Sequence, residues 1–448
     1  MLEVWYHNCH GNDGRCCWTA FQDKAGDCCP LVFSMKTMVS NLYKSGAAPP
    51  DDFVKREDEL LKKFLMRVSP QKWWMGAVCL LMVISLLSIP MTVAVPNNTA
   101  EADTKEGLNL KMVSAYVFDR GSVAFRDEDA PYMTQMNFSF ALIEDGRVSG
   151  SHWRSMDAFK EYIRRHPHIL PFVAVGGWGA DGFSQAAATE RGRSAFVESA
   201  VSLMEEHGFL GIDIDWEYPG SSVAGIESRK DDPENLLLLL QALRTSLDNL
   251  TAKDGAKRYI SIAVGGSKQY ADKLDCAAIG RLVDQVIVMT YDMRGFEKVT
   301  GHHTGLYPQQ GGKDVVSADA AMKAFADAGI PREKLMMGAA FYGRAWRSVK
   351  SKDDNGLGQK AGTSGNKTYG FGAIEAMVTD GSYTRFWDEQ AMAPYLFNGK
   401  TFISYEDVES IALKGAYARD NGLMGVMFWE YGLDATGSLV KALYESMN

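Results

Sequence analysis

Three carboxylic acids occupy alternate positions in the segment 211–217, which reads Gly-Ile-Asp-Ile-Asp-Trp-Glu. Because alternate residues of a β-strand share a face, Asp213, Asp215 and Glu217 are expected to point to one side and the apolar residues between them to the other. Neighbouring carboxyl groups would lie about 7 Å apart along the backbone, close enough for like-charge repulsion to raise at least one pKa. A carboxyl group that keeps its proton near neutral pH can serve as a general acid.

Metal binding is the alternative interpretation of this acidic strand, because calcium and magnesium also collect carboxylate oxygens. Trp216, Tyr218 and Pro219 surround the acids and favour a sugar-stacking cleft over an oxygen-lined cage. The cysteine doublets at 16–17 and 28–29 are a second candidate metal site, but they lack the C-x-x-C spacing typical of zinc. We therefore predict a site that needs neither a metal nor an organic cofactor.

The composition is that of a folded protein with no nucleic-acid partner. Of the 448 residues, 46% are apolar and 11% aromatic, enough to build a large core. The net charge of -9 argues against nucleic-acid binding, because affinity for phosphates rests on clustered Lys and Arg. A neutral or cationic ligand suits such a chain better, and we expect a monomer.

Apolar strand-like runs alternate with helix-like segments from Leu108 onwards, which indicates repeated βα units and a parallel sheet. Among the helical segments, 232–249 is the clearest, with Asp232 as N-cap and Pro233 at the first helical position, and another begins at Ser317. Eight units predict an α/β fold, the (β/α)8 TIM barrel, whose catalytic groups sit at the C-terminal ends of the strands. The candidate strands are 111–118, 135–142, 169–175, 209–216, 258–264, 284–291, 334–341 and 423–429.

The regular spacing breaks once, between the strand that ends near Phe341 and the strand that begins near Leu423. The intervening stretch of roughly 80 residues is too long for an ordinary loop. It predicts a small inserted subdomain at about 345–420 that forms one wall of a cleft. The stretch is rich in aromatic residues, namely Tyr383, Phe386, Trp387, Tyr395, Phe397, Phe402 and Tyr405.

Residues 73–95 contain no charge and approach the length of roughly 20 apolar residues that spans a bilayer as a helix. Lysines and an arginine at 62–72 precede this run, and acidic residues follow it. As a transmembrane signal-anchor, the run would therefore leave residues 1–72 in the cytoplasm and place the rest of the chain outside.

A signal peptide is the competing interpretation of the same run. A start at Met66 would give it a charged beginning, and residues 1–65 would then not belong to the native protein. In either case a linker at 96–108 would precede the exported domain at 109–447. A mature N-terminus near residue 95 or 103 would exclude the membrane anchor.

The acidic strand resembles the signature of glycoside hydrolase family 18, a family of chitinases, which is D-x-x-D-x-D-x-E. The match runs through Asp213, Asp215 and Glu217 and continues into Tyr218-Pro219. The resemblance covers about residues 109–447 and implies that the insertion has the α+β form found in the family. Further matching segments follow in order: Ala115-Tyr116, Gly176-Gly177-Trp178, Met289-Thr290-Tyr291-Asp292, Phe341-Tyr342-Gly343-Arg344, Trp387-Asp388, Ser404-Tyr405-Glu406-Asp407 and Trp429.

The resemblance implies a substrate-assisted mechanism in which the enzyme supplies no nucleophile. Glu217 would protonate the glycosidic oxygen while the 2-acetamido carbonyl of the substrate attacks the anomeric carbon, and water would open the resulting oxazolinium ion with retention. Asp215 would hydrogen-bond the acetamido N–H, Asp213 behind it would share a proton, and Tyr291 would orient the carbonyl. The resemblance assigns substrate binding to Tyr116, Trp178, Met289, Asp292, Tyr342, Arg344, Trp387 and Trp429.

Several of these residues have an ordinary structural interpretation when they are taken singly. Trp429 and Tyr116 would also serve as barrel filling, Arg344 as half of a surface ion pair and Asp292 as a helix cap. Their shared location at the C-terminal ends of the predicted strands favours the functional interpretation for all of them.

Two positions depart from the family pattern. Leu210 stands where the signature has its first Asp, but strand alternation directs this position towards the helices, so we expect no carboxylate to be missing from the cleft. Ala174 stands where the family has a Ser whose hydroxyl would contact the deepest Asp. We therefore expect Asp213 to be held less firmly, with lower activity or a shifted pH optimum.

The sequence thus predicts a secreted or membrane-anchored chitinase that cleaves β-1,4-linked N-acetylglucosamine polymers, with chitin or chitooligosaccharide as its partner. A peptidoglycan or spore-cortex N-acetylglucosaminidase on the same scaffold is the alternative, although no LysM-type repeat is found. A chitin-binding lectin is the alternative from another class. Such lectins keep the barrel but lose the acid, whereas Glu217 is present here.

Overall fold

Parallel strands that alternate with helices dominate the computed structural model, which describes residues 111–309, 316–351 and 355–448. In chain order the strands are β1 (Met112–Phe118), β2 (Gln135–Glu144), β3 (Arg147–Ser149), β4 (Leu170–Gly176), β5 (Gly211–Asp215), β6 (Tyr259–Gly265), β7 (Gln285–Met289), β8 (Leu335–Ala340), β9 (Tyr342–Arg347), β10 (Lys367–Gly370), β11 (Thr384–Asp388), β12 (Ala393–Phe397), β13 (Thr401–Ser404) and β14 (Gly425–Trp429). The helices are α1 (Met156–Arg165), α2 (Phe183–Ala187), α3 (Glu190–His207), α4 (Asp232–Asp254), α5 (Lys268–Ala271), α6 (Cys276–Leu282), α7 (Ala318–Asp327), α8 (Phe371–Thr379), α9 (Val408–Asp420) and α10 (Ser438–Met447).

Eight of these strands close into a parallel barrel in the order β1-β14-β8-β7-β6-β5-β4-β2, and β2 returns to β1. Strand β3 pairs antiparallel with the C-terminal end of β2, and the two form a hairpin. Each of the eight strands predicted from the sequence overlaps one strand of this barrel. The predicted (β/α)8 barrel is therefore confirmed.

The two predicted helix starts have different outcomes. Ser317 caps α7 as expected, and its hydroxyl accepts a hydrogen bond from the backbone N–H of Ala320 at 3.1 Å. The assignment of Asp232 as an N-cap is wrong, because Asp231 occupies that position and Asp232 begins α4. The carboxylate of Asp232 is buried and instead accepts hydrogen bonds from the Ser184 hydroxyl at 2.7 Å and the Arg229 backbone N–H at 2.7 Å.

Alternation along β5 sorts its side chains between two environments. Ile212 and Ile214 are buried in the large apolar core between the barrel and its helices, together with Trp216 just beyond the strand. Asp213 and Asp215 are buried on the other side, inside the barrel. Placing the isoleucines among the helices therefore directs the carboxyl groups into the barrel interior.

The insertion is a five-stranded antiparallel sheet in the order β10-β9-β13-β12-β11, to which α8 is added. It begins directly after β8, with only Phe341 between the two strands. Tyr395, Phe397 and Phe402 are buried within the insertion's own core, so the aromatic residues predicted for a cleft wall serve mainly to hold the insertion together. Helix α9 packs on α10, β8 and β14 of the barrel, which means that the predicted limit near residue 420 includes one barrel helix.

A buried ion pair connects the barrel to the segment that leaves the insertion. Lys414 of α9 lies 2.9 Å from Glu406, and both side chains are 1% exposed. Lys414 also donates to the Thr304 hydroxyl at 2.7 Å, and Glu406 accepts from the backbone N–H of Ala340 at 2.6 Å. The pair therefore fixes the end of β8, the loop after β7 and the exit of the insertion at one point.

The predicted membrane segment at 73–95, with the flanking segments 1–72 and 96–108, lies outside the described residues. Within residues 111–448, apart from the two gaps, no helix is long and apolar enough to cross a membrane. The choice between an anchor and a signal peptide stays a prediction from the sequence.

Removing one member of the buried ion pair should cost more stability than removing both. We expect Lys414→Met to lower the free energy of unfolding by about 3–5 kcal/mol, because it leaves the Glu406 carboxylate buried without its counter-charge. The double variant Lys414→Met/Glu406→Gln should recover much of this loss. Denaturant unfolding would measure both effects, with Lys441→Met as the control, since Lys441 forms only an exposed pair with Glu445.

Equal destabilisation by the single and double variants would show that Lys414 and Glu406 stabilise the fold by packing and not by their charges.

Candidate active site

A cleft of about 1880 Å³ lies over the C-terminal ends of the barrel strands. It is larger than the roughly 300–1,000 Å³ of most small-molecule sites, so it can accept a chain of several sugar rings. Its lining includes the following residues predicted from the sequence: Tyr116, Trp178, Asp215, Glu217, Met289, Tyr291, Asp292, Tyr342, Arg344 and Trp429. The structure thus brings together ten residues from strand ends that are distant in sequence.

Asp213 lies deepest of the three acids and is fully buried. Its Oδ2 accepts a hydrogen bond from the Tyr116 hydroxyl at 2.5 Å, and its Oδ1 accepts one from the Ser261 hydroxyl at 2.6 Å. Burial raises the pKa of Asp213 to about 6, although both hydroxyl groups lower it. Asp213 therefore carries its proton more readily than an exposed Asp does.

Ala174 and Ser261 lie on opposite sides of Asp213, because β4 pairs Ala174 with Asp213 and β6 pairs Asp213 with Ser261. The Ala174 position offers no hydroxyl, as the sequence indicates, yet Asp213 has a hydroxyl partner from the other neighbouring strand. The expectation that Asp213 is poorly held is therefore wrong in its premise. Leu210 lies just before β5 and is half-buried, so its departure from the signature removes no carboxylate from the barrel interior.

Asp215 lies above Asp213 and has a different environment. Its Oδ1 is buried and makes no hydrogen bond with the described part of the chain. Burial is the main cause that raises the pKa of Asp215, and the charges of Glu217 and Asp213 raise it further. A buried acceptor without a partner is costly, so Asp215 is poised to bind a donor.

Glu217 lies just beyond the end of β5, at the floor of the open cleft. Burial raises its pKa, a hydrogen bond from Tyr218 lowers it, and the charge of Asp292 raises it. The ring of Tyr218 is held by Tyr270, whose ring centroid lies 4.3 Å away. The net result is a carboxyl group that keeps its proton near neutral pH and faces the cleft, as a general acid must.

Asp292 anchors the opposite wall of the cleft. Its carboxylate binds the Arg344 guanidinium through both oxygens and accepts the Tyr342 hydroxyl at 2.5 Å. Burial acts to raise the pKa of Asp292, but the hydrogen bonds from Arg344 and His303 outweigh it and hold the pKa below its usual range. Asp292 is thus ionised while the acids of β5 tend to be protonated.

Aromatic rings form the floor of the cleft around Trp429. The indole stacks on Phe140 with a centroid separation of 5.6 Å and an interplanar angle of 19°. Tyr116 and Phe118 contact the same indole at centroid distances of 5.7 Å and 5.8 Å. Trp178 projects from the cleft with 55% of its surface exposed, which is unusual for so large an apolar side chain. Flat exposed rings of this kind suit the apolar faces of sugars.

Trp387 is the predicted substrate-binding residue that the structure does not bring to the cleft. It lies on β11, the outermost strand of the insertion sheet, and is absent from the cleft lining. Its indole N–H donates to Glu389 at 3.3 Å, and the Arg385 guanidinium lies 5.3 Å from its ring centroid. The assignment of Trp387 to substrate binding therefore stays a prediction from the resemblance, without support from the lining of this cleft.

Several site residues have no signal in the sequence motifs. Ser261 and Phe140 belong to β6 and β2, where a pattern of alternating side chains gives their face but not their partner. Tyr270 follows β6 in the short helix α5, and His303 lies in the loop after β7. The alternation of β6 relative to β5 is the one signal that could have found Ser261.

The metal interpretation of the acidic strand receives no support. Within the described ranges, no group of three or more His, Cys, Asp or Glu side chains is arranged to hold a metal ion. The side chain of Asp213 accepts hydrogen bonds from the Tyr116 and Ser261 hydroxyl groups, in place of contacts with a cation. The arrangement instead combines a carboxyl group that keeps its proton near neutral pH, a buried acid oxygen without a partner in the described part of the chain, and an aromatic floor. Cleavage of a glycosidic bond uses a proton-donating carboxyl group of this kind.

Comparison with known proteins agrees with this chemistry. The family model for glycosyl hydrolases family 18 matches residues 112–434. The chain belongs to this family. It is therefore a glycoside hydrolase, as the acidic strand predicts.

Named relatives of this family 18 chain include chitinases. It is 37% identical over 297 residues to "Chitinase A1" of Niallia circulans, a match that covers 62% of this chain and 42% of that protein. It is 31% identical to "Chitotriosidase-1" of Mus musculus over 69% of this chain and 68% of that protein. A solved family 18 N-acetylglucosaminidase from Paenibacillus barengoltzii shares 42% identity and a TM-score of 0.73, covering 75% of this chain and 99% of the other.

The raised pKa of Asp213 predicts a pH-dependent contribution to stability. Because the folded-state pKa is about 6 and the ordinary value is 3.8, the folded protein holds this proton more tightly than the unfolded chain. The resulting stabilisation is complete below pH 3.8 and is lost as the pH rises through 6, a difference of about 3 kcal/mol.

Asp213→Asn should therefore lose less stability than the wild type between pH 4 and 7, as measured by thermal unfolding at each pH. Asp145→Asn, at an exposed turn, is the control and should follow the wild type. Parallel curves for wild type and Asp213→Asn would contradict the assignment.

Proposed function

We propose that this chain is a chitinase that cleaves β-1,4 bonds between N-acetylglucosamine units by substrate-assisted catalysis with retention of configuration. The observation that carries the proposal is the unpaired, buried Oδ1 of Asp215. An acetamido N–H is a donor of the right kind for this oxygen, whereas glucose units offer no amide at that position. The missing hydrogen-bond donor at Asp215 therefore favours a substrate that carries an acetamido group.

The surroundings of Asp215 complement the rest of an acetamido group. Tyr291 is partly buried, and the one contact of its hydroxyl among the described residues is a weak one of 3.9 Å to the Met427 sulfur, so it is available to donate to a carbonyl oxygen. Met289 and Met427 belong to the small apolar cluster inside the barrel and would accept the methyl group. An acceptor, a donor and an apolar side chain, those of Asp215, Tyr291 and Met289, therefore line the same cleft.

The proposed reaction assigns one step to each group. Glu217 donates its proton to the glycosidic oxygen while the acetamido carbonyl oxygen bonds to the anomeric carbon from the other side, and the C–O bond to the leaving sugar breaks. The oxazolinium ion that results is held by Asp215, with Asp213 behind it. Glu217 then takes a proton from water, whose oxygen bonds to the anomeric carbon and restores the acetamido group.

Release of single sugars is a second candidate activity within the same chemistry. It is favoured by the 42% identity with a protein described as an N-acetylglucosaminidase, of which the match covers 99%. Cleavage within a chain is favoured instead by the open cleft, whose volume of about 1880 Å³ exceeds that of one sugar. The first products formed from chitohexaose distinguish them, because release of single sugars gives monomer and pentamer, whereas cleavage within the chain gives dimer, trimer and tetramer.

The proposal is tested by product analysis on chitin, chitooligosaccharides, peptidoglycan and cello-oligosaccharides in parallel. We expect β-configured products from the first two and no cleavage of cello-oligosaccharides, because glucose units lack the internal nucleophile. Glu217→Gln should lower kcat by about 10³-fold or more while oligosaccharide binding persists, since the proton donor is lost and the cleft is unchanged. Glu227→Gln, on the exposed loop after β5, is the matched control and should retain full activity.

Faster cleavage of peptidoglycan than of chitin would identify peptidoglycan as the substrate in place of chitin. Rapid hydrolysis of cello-oligosaccharides would exclude substrate-assisted catalysis.

The pH profile should depend on Asp292. With a Glu217 pKa of about 7 in the free protein, kcat/KM should fall above pH 7 as the acid loses its proton. The charge of Asp292 raises that pKa, so Asp292→Asn should move the alkaline limb of kcat/KM to lower pH. Rates on chitotetraose from pH 4 to 9 would measure the shift. A limb that stays in place or moves to higher pH would show that Asp292 does not act on Glu217 through its charge.

A further inference from the structure

The two oxygens of Asp292 have unequal roles. Oδ1 receives the Tyr342 hydroxyl at 2.5 Å and the Arg344 Nε–H, and it lies 3.5 Å from Nδ1 of His303. Among the described residues, Oδ2 receives one donor, the Nη2 of Arg344. The side chain is 37% exposed and lines the cleft. Since a carboxylate oxygen has about two lone pairs, Oδ1 is saturated by the protein and Oδ2 keeps acceptor capacity.

His303 approaches Asp292 from the buried side. Its side chain is fully buried, and its ring lies against Tyr342 with a centroid separation of 5.1 Å. The main chain fixes the ring from both sides, because the His303 backbone N–H donates to the Ser404 hydroxyl at 2.9 Å and its carbonyl accepts the Met293 N–H at 3.0 Å. The main chain at His303 is therefore fixed, and the ring is confined beside Asp292 by burial and by its contact with Tyr342.

The surroundings of the two ring nitrogens of His303 decide where the proton lies. Nε2 is buried and has no hydrogen-bond partner among the described residues. Nε2 lacks such a partner in either tautomer, so the contacts of Nδ1 decide between them. A proton on Nε2 would set a lone pair of Nδ1 against a carboxylate oxygen at 3.5 Å, with the Asp292 backbone N–H at 3.4 Å in return. A proton on Nδ1 gives up that backbone contact and instead directs an N–H towards the ionised Oδ1, an attraction that is strengthened by the charge of the carboxylate.

The ring is neutral at neutral pH. Burial is the main cause that lowers the pKa of His303, and the nearby cations Arg344 and Lys414 lower it further, against the opposing effect of Asp292. Only one ring nitrogen therefore carries a proton, and the site selects which one.

We infer that His303 is a positioning residue whose neutral Nδ1–H tautomer holds Oδ1 of Asp292, so that Oδ2 is presented to the glycan in the cleft. The inference deepens the proposed function and rests on it in one respect, namely that the ligand of Oδ2 is a sugar hydroxyl or amide. The orientation of Asp292 itself depends only on the protein.

A measurement without substrate tests the tautomer. Nitrogen-15 NMR of histidine-labelled full-length protein, with the His303 signals assigned by their loss in His303→Gln, should show a protonated Nδ1 and an unprotonated Nε2 from pH 6 to 8. A proton on Nε2, or a ring that is charged at pH 7, would overturn the inference. Because no sugar is involved, this result is independent of the proposed substrate.

Kinetics of matched variants test the consequence for binding. Asn places its amide nitrogen close to the position of Nδ1, whereas Gln places it near Nε2 and Leu has none. We expect His303→Asn to keep KM for chitotetraose within about twofold, and His303→Gln and His303→Leu to raise KM roughly five- to tenfold with kcat changed less than about twofold. His302→Asn is the control, because the equally buried His302 pairs with Asp388 and not with Asp292, so KM should stay unchanged.

Equal KM values for the Asn and Leu variants, or a similar rise in His302→Asn, would reduce His303 to a packing residue and overturn the inference. A wild-type protein that does not cleave chitotetraose would instead contradict the proposed function and leave the NMR result to decide the orientation of Asp292.

Discussion

A barrel interior cannot hold three ionised carboxylates on one strand, because each loses its hydration and repels the next. Strand β5 meets this constraint by giving each acid a different environment. Asp213 has two hydroxyl donors, Asp215 has an oxygen without a partner, and Glu217 borders the open cleft. Depth in the barrel thus determines which group holds a proton and which accepts a donor from outside. Acid strength in this site is a consequence of position along a single strand.

The opposite wall of the cleft supplies the charge that β5 lacks. Asp292 is ionised because Arg344 from the insertion binds both of its oxygens. Arg344 in turn depends on β9, which follows β8 after a single residue, and on the buried Lys414–Glu406 pair that closes the far end of the insertion. The insertion therefore acts on the reaction through one ionised carboxylate. A shift of the insertion sheet would change both the shape of the cleft and the proton affinity of Glu217.

Features that depend on neighbouring residues in the sequence were predicted correctly, and features that depend on contacts between distant segments were not. Alternation within one strand is local, so it correctly placed the acids of β5 inside and the isoleucines outside. The Asp231 cap was missed because Asp232 is drawn into a network with Ser184 and Arg229, which lie on other elements. Ser261 became a partner of Asp213 only through the register of β5 and β6, which no single segment contains. The position of Trp387 outside the cleft lining follows from the order of strands in the insertion sheet, which a single segment also does not contain.

The closure of the barrel has a consequence for the time at which the site can form during synthesis. Strand β1 pairs with β14, so the first and last barrel strands are neighbours, and the floor of the cleft joins Tyr116 from one to Trp429 from the other. A nascent chain whose strand β14 (Gly425–Trp429) is still inside the ribosome has an open sheet in place of a barrel. It holds the acids of β5 but not the surface on which a sugar would rest. The aromatic floor of the cleft therefore forms only after β14 has emerged and closed the barrel against β1.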